Sequence, residues 1–191
     1  MNAQDHVIFG GLLHDIDKFF AKAQCEPQPA ILKPLLGSQE KPLEQLIQTA
    51  HFFARTEQAY SKNANRLESL LSKVTLNNNS PKDRYFLPLT ALDLAAVAIF
   101  PQKNTGEVFI TDYQNLANAL LNDLKRLPYY DEQNSAALRA VVRTLLALLE
   151  KYLSQVPADS DISLFDLQRI SAAIAEGLYH YHADNLGVCR S

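Results

Sequence analysis

The chain has 191 residues, 47% apolar and 20% charged, with a net charge of −3. That length supports one domain, or a domain with an appended subdomain, around a core that needs no covalent staples. The acidic balance excludes a general pull toward nucleic acid, so any such contact must be local, and Cys25 and Cys189, far apart and without ligand spacing, exclude a disulfide framework or a zinc knuckle.

The first predicted helix covers residues 5–21, where Ile8, Leu12, Ile16 and Phe19 recur at helical spacing and Leu13 and Phe20 widen the stripe. Gly10 and Gly11 inside it each cost about 1 kcal/mol against alanine, which points to a close approach of another element. Residues 25–42 hold Pro27, Pro29, Pro34, Pro42 and Gly37 and read as an irregular connection. A second helix is expected over 43–60, with Leu43, Leu46, Ile47, Ala50, Phe53 and Ala54 on one face, and a third over 64–74. NNNSP (77–81) breaks the chain and is the best internal boundary. Within YFLPLTALDLAAVAIFP (85–101) a short helix is expected near 90–98. Further helices are expected over 112–127, 134–154 and 163–181, the last capped by Asp161 or Ser163. The pattern is mainly α. No apolar run reaches the ~18 residues of a membrane span and no basic leader precedes the first apolar run, so a cytoplasmic protein with no membrane partner is expected.

His14 and Asp15 adjoin within GGLLHDIDKFF (10–20). Imidazole and carboxylate suit a transition metal such as Mn or Ni, and equally make an ordinary ion pair at a helix surface. A working centre needs at least three protein groups. Asp17 offers another carboxylate on the same helix, or pairs with a cation. His51 lies beside the apolar stripe of Ile47 and Ala54, where it either faces the first helix or packs half-buried at a helix interface. His6 is more than two turns from His14 and a poor chelating partner, while His180 and His182 read as a solvated helix end, favourable to the dipole. No Ser-His-Asp arrangement, P-loop or Gly-rich dinucleotide signature is present.

GGLLHDIDKFF resembles the N-terminal motif of the large signature subunit of type III CRISPR effector complexes, the Csm type above all, which reads LLHDIGKF there. The likeness continues in order. ANRLESL (64–70) resembles an Ala-Asp-x-Leu-Ser-Ser stretch, and YFLPLTALDL with IFP (85–101) resembles a connecting segment. LLALLEKYLSQVPADSDISLFD (145–166) is similar to a helix, loop and Ser-Leu-Tyr-Asp motif, and RISAAIAEGLYHY (169–181) to the small-residue helix that follows. The resemblance implies an HD-domain-like helical bundle over residues 1–76 and a helical connecting region over 77–191 that would precede a palm domain. It implies membership of an RNA-guided antiviral complex. The partners would be other effector subunits with their guide RNA, and a palm-bearing remainder of the large subunit.

For the site it implies single-stranded DNA cleavage with a divalent transition metal, Mn or Ni. His14 and Asp15 would be the catalytic pair, and His14, Asp15, His51 and Asp17 the metal ligands. The departures lie in that same site. Asn65 replaces the Asp of Ala-Asp, a His pair is reduced to His51, and Asp17 occupies a Gly position. No Gly-Gly-Asp-Asp motif is present, so no cyclic oligoadenylate synthesis is expected from this chain alone. The expected function is a structural or docking part of the large subunit, or a split subunit, with a degraded HD site and a docking face on the C-terminal helices. An active metal-dependent single-strand nuclease and an unrelated HD phosphohydrolase acting on small phosphate esters are the alternatives.

Overall fold

The apolar stretch around His14 forms two helices where periodicity predicts one. A computed structural model describes residues 3–26, 41–55, 65–73, 84–103, 109–127, 135–158 and 162–186. Within it α1 spans Ala3–Leu13 and α2 spans Ile16–Lys22. No glycine or proline marks the break. Asp15 takes the N-cap position of α2 with φ −107° and ψ 15°, and its carbonyl accepts a hydrogen bond from Lys18 N at 3.1 Å. The helix thus restarts after His14.

Helix α3, Lys41–Ala54, buries Leu43, Ile47, Ala50, His51 and Ala54 along one face; the expected continuation to residue 60 lies outside the described residues. The helix expected over 64–74 does not form as such. Only Leu70–Lys73 turn, as a 3-10 helix, and Glu68 bridges Phe86. The backbone here is claimed by a distant segment. Ser69 N donates to Tyr85 O at 2.8 Å, Leu87 N donates to Leu67 O at 2.9 Å, and Ser72 Oγ accepts from Tyr85 N at 2.7 Å. Strand β1, Tyr85–Phe86, then pairs antiparallel with β2, Gln102–Lys103. The single helical turn α4, Ala96–Ile99, lies between the strands.

The remaining helices follow their apolar periodicity closely: α5 is Ile110–Leu124, α6 Ser135–Leu153 and α7 Leu164–Leu186. Ser163 caps α7, its Oγ accepting from Asp166 N at 3.0 Å and donating to Asp166 Oδ2 at 2.7 Å. Because α7 runs to Leu186, His180 and His182 sit within it rather than at its end.

The principal core joins α1 and α2 to α5, α6 and the start of α7 through Phe9, Phe19, Phe20, Leu120, Leu145 and Leu149. A smaller cluster of Val7, Leu43, Ala50 and Ala175 ties α1, α3 and α7 together. Helix α7 therefore packs on both α1 and α3, and the principal core draws on residues either side of NNNSP, itself outside the described residues. The α1–α7 contact is unusually close, as the diglycine implies. A Cβ added at Gly11 would lie 2.6 Å from Ala172 Cα, a backbone atom that cannot rotate away. Gly177, further along α7, faces open space.

The two glycines should therefore respond oppositely. Gly11→Ala should lower stability by about 1–3 kcal/mol through overpacking, despite alanine's better helix propensity. Gly177→Ala should raise it by up to about 1 kcal/mol. Urea unfolding of the two variants measures both signs, and a stabilised Gly11→Ala would show that the helices are not in close contact.

Candidate metal centre

The break between α1 and α2 places His14 and Asp15 in a tight turn, and the last turn of α3 brings His51 against them. The Asp15 side chain is 5% exposed. A buried carboxylate costs several kcal/mol unless it is paired, and the groups around Asp15 meet that demand. Its Oδ1 lies 2.7 Å from Lys18 Nζ and 3.1 Å from His14 Nδ1, and its Oδ2 lies 3.3 Å from His51 Nε2 and 3.9 Å from Arg55 Nη2. The two imidazole rings stack, with centroids 4.3 Å apart and planes 22° from parallel. Burial alone would raise the Asp15 pKa. Hydrogen bonds from His14 and Lys18, with the charges of His51 and Lys18, outweigh it and hold the carboxyl well below the usual carboxylate range.

His51 has one ring nitrogen engaged and one without a partner. Ser171 on α7 donates its hydroxyl to Leu167 O at 2.8 Å, and its Oγ lies 3.4 Å from His51 Nδ1. With the serine proton committed to a carbonyl, the oxygen accepts from Nδ1–H. That leaves Nε2 as the lone-pair nitrogen. Nε2 is buried and has no hydrogen-bond partner, because its 3.3 Å approach to Asp15 is close in distance but not aligned for a hydrogen bond. Nε2 is therefore the ring nitrogen left open to a cation beside Asp15. Burial, opposed by the Asp15 charge, pushes the imidazole pKa down to about 4, so His51 is neutral and ligand-ready at pH 7.

One ligand atom each from His14, Asp15 and His51 lies within 4.8 Å of the others. At metal–ligand distances of about 2.0–2.2 Å, two donors on one ion stand no more than about 4.4 Å apart. A single ion would need the three atoms drawn within that distance. The donor set of two imidazoles and one carboxylate suits a borderline transition metal. Asp17 is exposed on α2 and stands outside this cluster. Asn65 is exposed ahead of Leu67, its carbonyl accepting from the Tyr113 hydroxyl at 3.2 Å. His6 is not part of the cluster, and neither are His180 and His182.

Sequence reasoning missed Lys18, Arg55 and Ser171. Lys18 stands three residues after Asp15, and Arg55 one helical turn after His51. That spacing was available as a signal. Ser171 sits in RISAAIA, whose small residues carried the resemblance without a role being assigned to any of them.

No known protein-family model matches the sequence, and no curated protein matches it. Among solved structures the fold does have a counterpart. A chain in a structure described as the crystal structure of the Csm1-Csm4 cassette in complex with one ATP aligns with 94% of this chain, at 20% identity and a TM-score of 0.61. The alignment covers 28% of that longer chain. At this identity the likeness establishes the mainly helical fold. None of the described helices is long and apolar enough to cross a membrane.

The pH dependence of stability reports on His51. Between its ordinary pKa of 6.5 and about 4, the unfolded chain binds a proton that the folded chain refuses. Stability is then fully present above pH 6.5 and falls as the pH drops through that window. In chelator, the wild type should lose about 2 kcal/mol from pH 7 to pH 5, and His51→Gln should remove most of this slope. Urea midpoints at the two pH values measure it, and equal slopes in both proteins would refute the assignment.

Proposed function

We propose that this chain is the HD-type portion of the large subunit of a type III CRISPR effector, or a separately encoded counterpart, acting mainly in assembly around a reduced metal site. The observation that carries this reading is the alignment of 94% of the chain onto a chain of the Csm1-Csm4 cassette, with a His-Asp-His cluster at the turn where the motif GGLLHDIDKFF lies. A Csm4-type subunit is then the first partner to seek, with guide RNA and a palm-bearing region in the same complex.

An assembly role is supported by the exposed apolar residues. Leu94, Val97, Phe100 and Phe109 are 94%, 66%, 65% and 64% exposed, all within one stretch around α4 and the start of α5. Such residues commonly mark interaction surfaces. This stretch, rather than the C-terminal helices, is the leading docking segment, although Ile170 and Tyr181 on α7 are also exposed.

A second reading is favoured by His51 Nε2, buried and unpartnered beside Asp15. Here the chain is a metal-dependent single-strand nuclease, with a manganese or nickel ion held by His14, Asp15 and His51. The ion would lower the pKa of a bound water and polarise the scissile phosphate. Asp15 supplies the negative charge, Ser171 orients His51, and Lys18 offers a positive charge beside the carboxylate.

Co-expression with the remaining subunits of a type III complex tests the first reading. The chain should co-purify with a Csm4-type subunit, and Leu94→Asp/Phe100→Asp should abolish the association without loss of helicity; a chain that never co-purifies refutes membership. Incubating the purified protein with single-stranded DNA and Mn or Ni tests the second. Cleavage lost in His14→Ala/Asp15→Ala establishes the nuclease, while wild-type protein that binds the metal and leaves the strand intact rejects it.

A further inference from the structure

A buried amide on α7 has no partner in the fold. Gln168 is 1% exposed, and both ends of its amide, Oε1 and Nε2, are buried without a hydrogen bond. No other side chain among the described residues buries two unpartnered polar atoms. A primary amide can accept two hydrogen bonds and donate two, and burying it with none of them made is costly. Buried polar groups are nearly always satisfied, so this one points to a partner that the chain itself does not supply.

The neighbours of α7 locate Gln168. Ser171, three residues on and on the same helix face, lies 3.4 Å from His51 Nδ1. Leu164, four residues back on that face, lines a cleft with Asp15, Lys18 and Arg55. Gln168 stands on the turn of α7 between them. The register against α1 agrees. The two helices run antiparallel, with Gln4 Nε2 donating to Glu176 Oε1 at 3.1 Å and Gly11 set against Ala172. One further turn along each chain brings His14 level with Gln168.

An amide oxygen is a ligand for a divalent cation, and it carries no charge. It therefore adds a donor beside Asp15 without burying a second anion. We propose that Gln168 is a fourth ligand of the His14–Asp15–His51 centre, its Oε1 completing a set of two nitrogens and two oxygens, and that it tilts the centre toward manganese. Imidazoles favour ions such as nickel, whereas carboxylate and carbonyl oxygens favour harder ions. The inference rests on the metal reading of the cluster. It also explains the orphaned amide: the metal-free chain holds it unpaired at a cost in stability, and the ion supplies the missing partner.

Loss of the amide then acts in opposite directions on the metal-free and metal-bound chain. Gln168→Met nearly conserves volume and removes both orphaned atoms, so in chelator it should raise the urea midpoint of unfolding. The same variant should bind manganese about tenfold more weakly or worse, followed by the paramagnetic resonance of the free ion, with a smaller loss for nickel by calorimetry. Gln168→Glu is the second variant. It keeps an oxygen donor and should hold manganese at least as tightly as the wild type; a loss like that of Gln168→Met overturns the proposal. So does a lowered midpoint for Gln168→Met, because the amide then has a partner inside the fold. Equal manganese affinity in wild type and Gln168→Met, or equal losses for both ions, as a general distortion would give, also overturns it and leaves the metal reading standing. A wild type that binds neither ion removes the metal reading with it, and membership of the effector complex is untouched by any of these outcomes.

Discussion

The buried carboxylate of Asp15 is the constraint around which the rest of the site is built. A charge with its side chain 5% exposed must be met by cations and hydrogen-bond donors. Three side chains meet it, His14 and Lys18 from the turn and α2 and Arg55 from just past the end of α3, with the neutral His51 ring packed beside them. Those from the end of α3 reach Asp15 only because α3 packs against α1. The same residue interrupts the helix, since Asp15 serves as the N-cap of α2. Local backbone geometry and site electrostatics therefore have one origin.

The second dependence runs through Gly11. Helix α7 approaches α1 so closely that a methyl group at Gly11 would strike the Ala172 backbone. Ser171 is the next residue along, and it orients the His51 ring. A close helix contact made for packing thus sets the position of the serine that determines which imidazole nitrogen is left free. Through this coupling a core distance sets the orientation of a candidate ligand, with Ser171 of SAAIA at the site and Ala172 and Ala175 in the core.

Much of the fold was legible because long amphipathic helices announce themselves. Helices α3, α5, α6 and α7 begin within a few residues of where their apolar spacing predicts. The failures have a common cause in non-local interaction. The break at Asp15 carries no glycine or proline, and it becomes intelligible only once His51 and Arg55 are beside the carboxylate. Residues 67–72 have helical spacing, yet their backbone pairs with residues 85–87, and no short-range pattern reports a partner more than ten residues away. At the site, the sequence made His14, Asp15 and His51 candidates but could not bring them together. It offered Asp17, which stands exposed on the helix, in place of Lys18 one residue on.

The cations around Asp15 bear directly on the two readings of function. A divalent ion arriving at Oδ1 would compete with an ammonium at 2.7 Å, so an ion held by that oxygen would displace Lys18. That displacement would cost part of the ion's binding energy. Lys18 and Arg55 already compensate Asp15, so an added cation would have to outcompete charges that the chain itself supplies.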